Sequence, residues 1–272
     1  MESRCTRTLN RKFPRAQGFE FGKNWQHFLA VLNDERISQA ESSLTNMLGL
    51  STLKGHSLLD IGSGSGLFSL AAMRLKAEQV HSFDCDPQCV SCTQELKRRY
   101  FPDAINWSIE KGSILDVGYL QSMGQRDIVY SWGVLHHTGN MWQALENVVP
   151  LVKRGGKLFI AIYNDQGWLS KYWKCIKKNY NKNIALRLSI IALHTPYLFG
   201  IRALVRAFSR RLKLDRGMSL WYDMIDWLGG YPFEVAKPEE ICEFYQKRGF
   251  ELQRMKTCGS RHGCNEFVFY KP

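Results

Sequence analysis

The chain of 272 residues lacks any run of about 18 uncharged apolar residues, so no membrane-crossing helix is expected. Its opening residues, Met1-Glu2-Ser3-Arg4-Cys5-Thr6-Arg7, lack the apolar stretch and small-residue cleavage site of a secretion signal. The eight cysteines, at positions 5, 85, 89, 92, 175, 242, 258 and 264, lack the spacing of a disulfide framework. Together these absences lead us to expect a cytoplasmic protein with reduced thiols. Cys85, Cys89 and Cys92 could share a helical face, but a fourth ligand is missing beside them, so no metal site is expected. Acidic residues are scarce in one place above all. Between Gln166 and Arg216 there are twelve Lys and Arg and one acid, Asp215, a net +11 out of the chain's +12. The chain is 44% hydrophobic, enough for one large α/β core with an insertion.

The most informative stretch runs from Leu58 to Gly66. Ser57 to Ile61 reads as a short buried strand, and Leu67 to Met73 opens a helix. Between them stand Gly62, Ser63, Gly64, Ser65 and Gly66. A strand entering a helix through glycines lets a ligand approach the main chain and the helix N-terminus. A dinucleotide fingerprint would need glycine at the sixth position of G-x-G-x-x-G, and Leu67 stands there.

The pattern that is present, Asp60-x-Gly62-x-Gly64-x-Gly66, resembles the first motif of the class I S-adenosylmethionine (SAM)-dependent methyltransferases. In that family the loop touches the amino-acid part of SAM. The resemblance implies cofactor contacts from Asp60, Gly62, Ser63, Gly64 and Gly66. Asp84 ends a second strand, Gln79 to Phe83, about 20 residues beyond the loop. There a carboxylate is placed to accept both ribose hydroxyls, with Cys85 directly after it. Asp86 and Pro87 read as the N-cap and first residue of the next helix. Residues Asn106 to Asp116 read as a third strand and its loop. The family's usual acid after Gly112 is replaced by Ser113, so Ser113 and the Ile114 N–H are the candidates for the adenine edge.

Asp127 to His137 reads as a fourth strand and its exit. Ser131 and Trp132 fall at its carboxyl end, where open parallel sheets bind ligands, and should flank the methionine part of SAM. His136 and His137 come next and are the candidate bases, because imidazole titrates in the useful range. The other reading is that they only pack or cap. His262 is a weaker candidate in the terminal hairpin turn. Met141 to Val152 reads as a helix, Lys153 to Lys157 as a turn, and Leu158 to Tyr163 as the fifth strand. Ser-Trp-Gly-Val-Leu-His-His and Lys-x-Gly-Gly are similar to the small-molecule group that includes the ubiquinone-pathway O-methyltransferases.

Upstream, a helix from Phe21 to Leu32, capped by Asn24, carries Trp25, Phe28, Leu29 and Leu32 at helical spacing. It either covers the sheet edge or roofs the cofactor with Trp25, as N-terminal helices do in this family. A second helix spans Arg36 to Leu48. At the other end, a helix starts at Lys237, and strands Glu251 to Thr257 and Asn265 to Tyr270 are too closely linked for a parallel crossover. The expected fold class is α/β: a Rossmann-like seven-stranded, mostly parallel sheet with an antiparallel last strand, a helical N-terminal segment and a helical lid insertion. The boundaries read as 1–56 for arm and cap helices, 57–164 with 236–272 for the SAM-binding domain, and 165–235 for the basic lid.

Within the lid, Ile201, Leu204, Val205, Phe208 and Leu212 mark one helical face, and Arg202, Arg206, Arg210 and Lys213 another. Three readings stay open: a solvated basic face, a membrane-interface helix, or recognition of an anionic substrate. Asp223, Asp226, Trp227, Tyr231, Phe233 and Glu234 form an acidic aromatic knot that either receives substrate or returns the lid to the core. Trp227, Tyr231, Arg202 and Arg206 are the candidate substrate residues. The expected activity is methyl transfer from SAM to an O, N or C nucleophile of a small or lipid-like acceptor, anionic ones included, under a basic lid. The expected partners are that acceptor and, peripherally, a membrane surface. An RNA methyltransferase or RNA-binding module using the basic insertion is the alternative. A nucleotide-sugar or NAD enzyme is disfavoured by Leu67.

Overall fold

The computed structural model describes residues 21–201, 220–259 and 263–272. Strand β1 (Ser57–Ile61) is buried from Leu58 onward on both faces, as a run of Leu, Leu and Ile requires in the middle of a parallel sheet. It pairs in parallel with β2 (Gln79–Asp84) on one side and β4 (Arg126–Trp132) on the other. With β3 (Trp107–Lys111), β5 (Val152–Tyr163), β6 (Glu251–Lys256) and β7 (Cys264–Lys271), the sheet runs β3-β2-β1-β4-β5-β7-β6. Only β7 runs against its neighbours, pairing antiparallel to both β5 and β6. The chain works outward from β1 to β3 and then returns to β4. The carboxyl ends of β1 and β4 therefore flank the crevice where such sheets bind ligands.

Alternation along the strands divides the core into two layers. Leu58, Val80, Trp107, Ile128, Tyr130 and Phe159 face α1 (Phe21–Ala30), α2 (Asp34–Leu48), α3 (Leu67–Arg74) and α4 (Pro87–Tyr100). Leu59, Ile61, Val129, Leu158 and Ile160 face α5 (Val117–Gln121), α6 (Met141–Val148) and α10 (Pro238–Gln246). Local chemistry sets the helix ends. Asn33 caps α2 by accepting from the Arg36 N–H, and Gly49 closes it in the left-handed conformation. Asp86 caps α4 by accepting from the Gln88 N–H, with Pro87 in the first turn.

Between β5 and α10 the chain forms α7 (Trp168–Tyr180), α8 (Ile184–Thr195), a π-turn at Pro196–Ile201 and α9 (Leu220–Gly229). These pack on a third core of Trp173, Tyr180, Ile190, Leu198, Met224 and Leu228. The insertion leaves and rejoins the sheet at one point, because Asn164 and Ala236 form a parallel bridge.

Three local expectations are corrected. Asn24 does not cap α1; it lies inside that helix. The helix expected from Met141 to Val152 ends at Val148, because Pro150 lacks the N–H that would continue it. A short 3-10 turn (Val149–Leu151) leads into β5. Lys153 to Lys157 does not separate helix from strand; it lies within β5. Arg126 pairs with Val152 and Ile128 with Lys157, so the β4–β5 register breaks in a bulge over residues 153–156 while Gly156 still pairs with Lys271 on β7. A Cβ on Gly156 would sit 2.7 Å from the Lys153 carbonyl oxygen, so a side chain there would break the bulge. Arg202, Arg206, Arg210, Lys213 and His262, and the helical faces expected across them, lie outside the described residues.

Candidate functional site

The loop after β1 is shaped by what presses on it. A Cβ on Gly62 would lie 2.5 Å from the Val134 methyls, so the β1 loop and the turn after β4 touch. Gly64 has φ +55, and a Cβ there would lie 3.1 Å from the Trp25 indole nitrogen. Both the left-handed backbone and the close ring call for glycine at that position. Trp25 thus covers the loop from α1. That helix is held over α4 by the Gly22 N–H, which donates to Asp86 Oδ2 at 3.1 Å.

Asp84 closes the site from β2. Its carboxylate accepts from the Gly64 N–H at 2.9 Å and from the Asp86 N–H at 2.9 Å. Burial pushes its pKa up to about 6; the two backbone N–H groups pull it down, and the Asp86 charge adds to the rise. The Gly112 N–H donates to the Asp84 carbonyl, which brings the β3 exit and Ser113 beside the end of β2. Ser113 Oγ accepts from the Leu115 N–H at 3.2 Å, and Ile114 is buried with its carbonyl accepting from Asn147 Nδ2. Cys85 is exposed, but burial of its thiol first, and then the charges of Asp84 and Asp86, push it up to about 11. It is no nucleophile at neutral pH.

Asp60 and Ser131, both candidate cofactor residues from the sequence, turn to contacts within the sheet. The Asp60 carboxylate is 2% exposed and turns toward α3. Ser69 Oγ donates to it at 2.5 Å, Ser69 and Ser82 Oγ lie 2.7 Å apart, and Trp107 Nε1 donates to Ser82 Oγ at 2.9 Å. A buried polar chain therefore crosses β1, β2 and β3 beneath the glycine loop. Burial pushes Asp60 up to about 7; the Ser69 hydrogen bond opposes the shift, and the Asp84 charge adds to it. Ser131 Oγ donates to the Ile61 carbonyl at 3.2 Å, tying β4 to β1, and Trp132 is half-buried beside it.

His136 and His137 sit on the turn after β4, Leu135–His137. His136 is fully buried, and its Nδ1 accepts from the Tyr163 N–H at 3.3 Å. Its Nε2 is buried with no hydrogen-bond partner. Burial holds its pKa well below the ordinary histidine value, and His137 and then Lys177 lower it further. His137 Nδ1–H donates to the Pro232 carbonyl at 2.6 Å. Burial brings it down to about 3 against the effect of that bond, with a further lowering by Lys177. Both imidazoles are therefore neutral at physiological pH, not poised near it as the sequence suggested.

The insertion's return segment is stitched onto this turn. The Glu234 N–H donates to the His136 carbonyl at 3.0 Å, and the Glu234 carboxylate accepts from the Met141 N–H, capping α6. Tyr163 lies 4.0 Å from the His136 ring, 5.4 Å from Trp227 and 5.1 Å from Phe233. Tyr231 is half-buried on the insertion core. So the sequence candidates Trp25, Gly64, Asp84 and Ser113 gather at the β1–β2–β3 ends, and His136, His137 and Trp227 gather at the β4–β5 ends.

Sequence reasoning missed Lys177, Asn181, Tyr163 and the capping role of Glu234. Lys177 belongs to the basic run between Gln166 and Arg216, yet it is fully buried. Its Nζ donates to the Trp227 carbonyl and lies 4.3 Å from the Trp227 ring centre and 4.7 Å from that of Phe233. Asn181 Nδ2 donates to the Gly229 carbonyl at 2.7 Å. The available signal was helical phase: Lys177 recurs with Trp173 and Tyr180 on one face of α7.

The sequence profile of a family described as a methyltransferase domain matches residues 59–158. Among curated proteins, a ribosomal protein L11 methyltransferase of Bacillus velezensis is 26% identical over 183 residues, 57% of this chain and 59% of that protein. The chain thus spans about three-fifths of that relative's length. Among solved structures, magnesium protoporphyrin IX methyltransferase from Synechocystis, with bound S-adenosylhomocysteine (SAH), covers 92% of this chain and 94% of its own at TM-score 0.55 and 14% identity. An O-methyltransferase family protein from Burkholderia thailandensis covers 94% of this chain and 65% of its own at TM-score 0.57 and 12% identity. Residues 59–158 of this chain thus match a methyltransferase domain, and the fold around them is the one these solved methyltransferases share.

Proposed function

We propose that the chain transfers a methyl group from SAM to an O, N or C nucleophile of a small or lipid-like acceptor held beneath the insertion. The observation that carries this reading is the Asp84–Gly64 contact. A buried carboxylate at the end of β2 reaches the backbone of a left-handed glycine under the Trp25 ring. A Cβ at Gly64 would press on the Trp25 ring, and the cradle suits a ligand with both an amino-acid part and a sugar. Gly62, Ser63, Gly64 and Gly66 would hold the amino-acid part, Asp84 the ribose, and Ser113 with the Ile114 N–H the adenine edge. When bound, SAM supplies a methyl already activated by its sulfonium.

The chain's own residues bind, orient and exclude water. Trp25 closes one side, and Tyr163, Trp227 and Phe233 form an apolar wall on the other. His137, locked by Pro232 in the Nδ1–H form, keeps its lone pair on Nε2 and serves as a neutral acceptor for an O–H or N–H of the substrate. Its depressed pKa makes it an orienting group first and a base second. The aromatic wall favours a flat or lipid-like acceptor. The similarity to L11 methyltransferases supports a second reading, a protein amine as acceptor.

Calorimetric titration with SAM and with SAH tests the cofactor assignment. Heat of binding for both, and none with NAD, is expected; no heat with either overturns it. Methyl-transfer assays with a panel of phenols, quinols, lipids and ribosomal proteins then separate the two acceptor readings.

A further inference from the structure

Seven of the fifteen exposed large apolar side chains among the described residues lie between Trp168 and Tyr197. On α8, Ile184, Leu188, Ala192 and Leu193 recur around the outward side, and only Ile190 and His194 are buried. Leu188 is 60% exposed and Leu193 is 72% exposed. On α7, Trp168 and Tyr172 stand one helical turn apart, and Trp168 is 75% exposed. Tyr172 Oη and His194 Nε2, 2.8 Å apart, join the two helices, so the aromatic pair and the aliphatic side adjoin. The same span holds no acid. Lys171, Lys174, Lys178, Lys182 and Arg187 are exposed around it.

We infer that α7 and α8 form a docking face that rests on an anionic lipid bilayer surface. The inference goes beyond methyl transfer and does not depend on it. Aliphatic side chains at the centre, an aromatic pair beside them and cations around them match an acyl boundary, a headgroup layer and anionic headgroups in turn. Bare Leu and Ile would gain nothing from a nucleic-acid backbone. A symmetric contact with a second copy would press five like charges against five. At 12 residues, α8 is about 18 Å long and lies on a bilayer rather than crossing it.

The test is flotation of the full chain with vesicles of phosphatidylcholine alone and of phosphatidylcholine with about one-third phosphatidylglycerol. Binding to the anionic vesicles only is expected. The Leu188→Glu/Leu193→Glu double variant should weaken it about tenfold, and Lys174→Glu/Lys178→Glu by a similar factor. Quenching of tryptophan emission by brominated lipid should fall in Trp168→Phe, a readout on a single exposed ring that does not require the charged variants to fold. No binding to anionic vesicles overturns the proposal. So does binding that survives Leu188→Glu/Leu193→Glu, which would make it a response to net charge alone. A wild-type dimer in light scattering that the same variant dissolves would assign the face to a second copy and overturn it as well.

Discussion

Asp84 is where the fold of the glycine loop and the proposed ribose contact meet in one side chain. Its oxygens already hold the Gly64 and Asp86 N–H groups, so the loop is preset before any ligand arrives. We predict that Asp84→Ala weakens SAH binding tenfold or more, about 1.4 kcal/mol, by calorimetry; unchanged affinity would remove the ribose assignment. Gly64→Val should abolish binding, since φ +55 and the Trp25 ring both oppose a branched side chain. The raised carboxyls also set a pH dependence. Asp60 titrates near 7 and Asp84 near 6 in the folded chain, against an ordinary 3.8. Between about pH 4 and pH 7 the folded state therefore holds more protons than the unfolded one, and these groups lower stability as pH rises through that window. Thermal melts at pH 5 and pH 8 should show this loss, and Asp60→Asn should shrink it. Parallel loss in both proteins would show that Asp60 is ordinary in the fold.

Elements bounded by local signals were legible in the sequence, and those bounded by distant contacts were not. β1, its glycines and α3 are written in adjacent residues, as are the Asp86–Pro87 cap and the β6–β7 hairpin. The end of β2 at Asp84 is legible because parallel pairing fixes where β2 ends relative to β1. The bulge in β5 resembles an ordinary turn in the sequence because the Asp127 and Arg126 carbonyls that crowd Gly156 lie on a neighbouring strand. Burial of Lys177 is not legible in the basic run because nothing local announces that Trp227 and Phe233 will enclose it. The same long-range logic governs how α7 holds α9. Asn181→Ala would strand the Gly229 carbonyl, a loss of about 1 kcal/mol. Glu234→Ala would uncap α6 at a similar cost. Each should lower the melting temperature by about 2–4 °C while leaving SAH affinity intact. A matching fall in SAH affinity would mean that the return segment shapes the cofactor cradle and not only the acceptor side.

At the scale of the molecule, the insertion carries a core of its own beside the two layers that cover the sheet. The sheet and its two helical layers carry the glycine loop and Asp84; the insertion brings its own core of Trp173, Met224 and Leu228. The insertion departs and returns through the bridge between Asn164 and Ala236, with Asp165 N–H donating to the Ala236 carbonyl and Ala236 N–H to that of Tyr163. Its ends are thus already side by side. Replacing residues 166–230 with a short Gly/Ser linker keeps Pro232 on His137 and Glu234 on α6. Loop closure grows only slowly with length, so a shorter connection carries little entropic penalty. The trimmed chain should fold, bind SAH with near wild-type affinity and lose methyl transfer, because Trp227 no longer shelters the β4–β5 ends. Retained transfer would place the acceptor on the sheet domain alone. Lost SAH binding in a folded protein would show that the insertion, rather than the loop at residues 62–66, governs the cofactor.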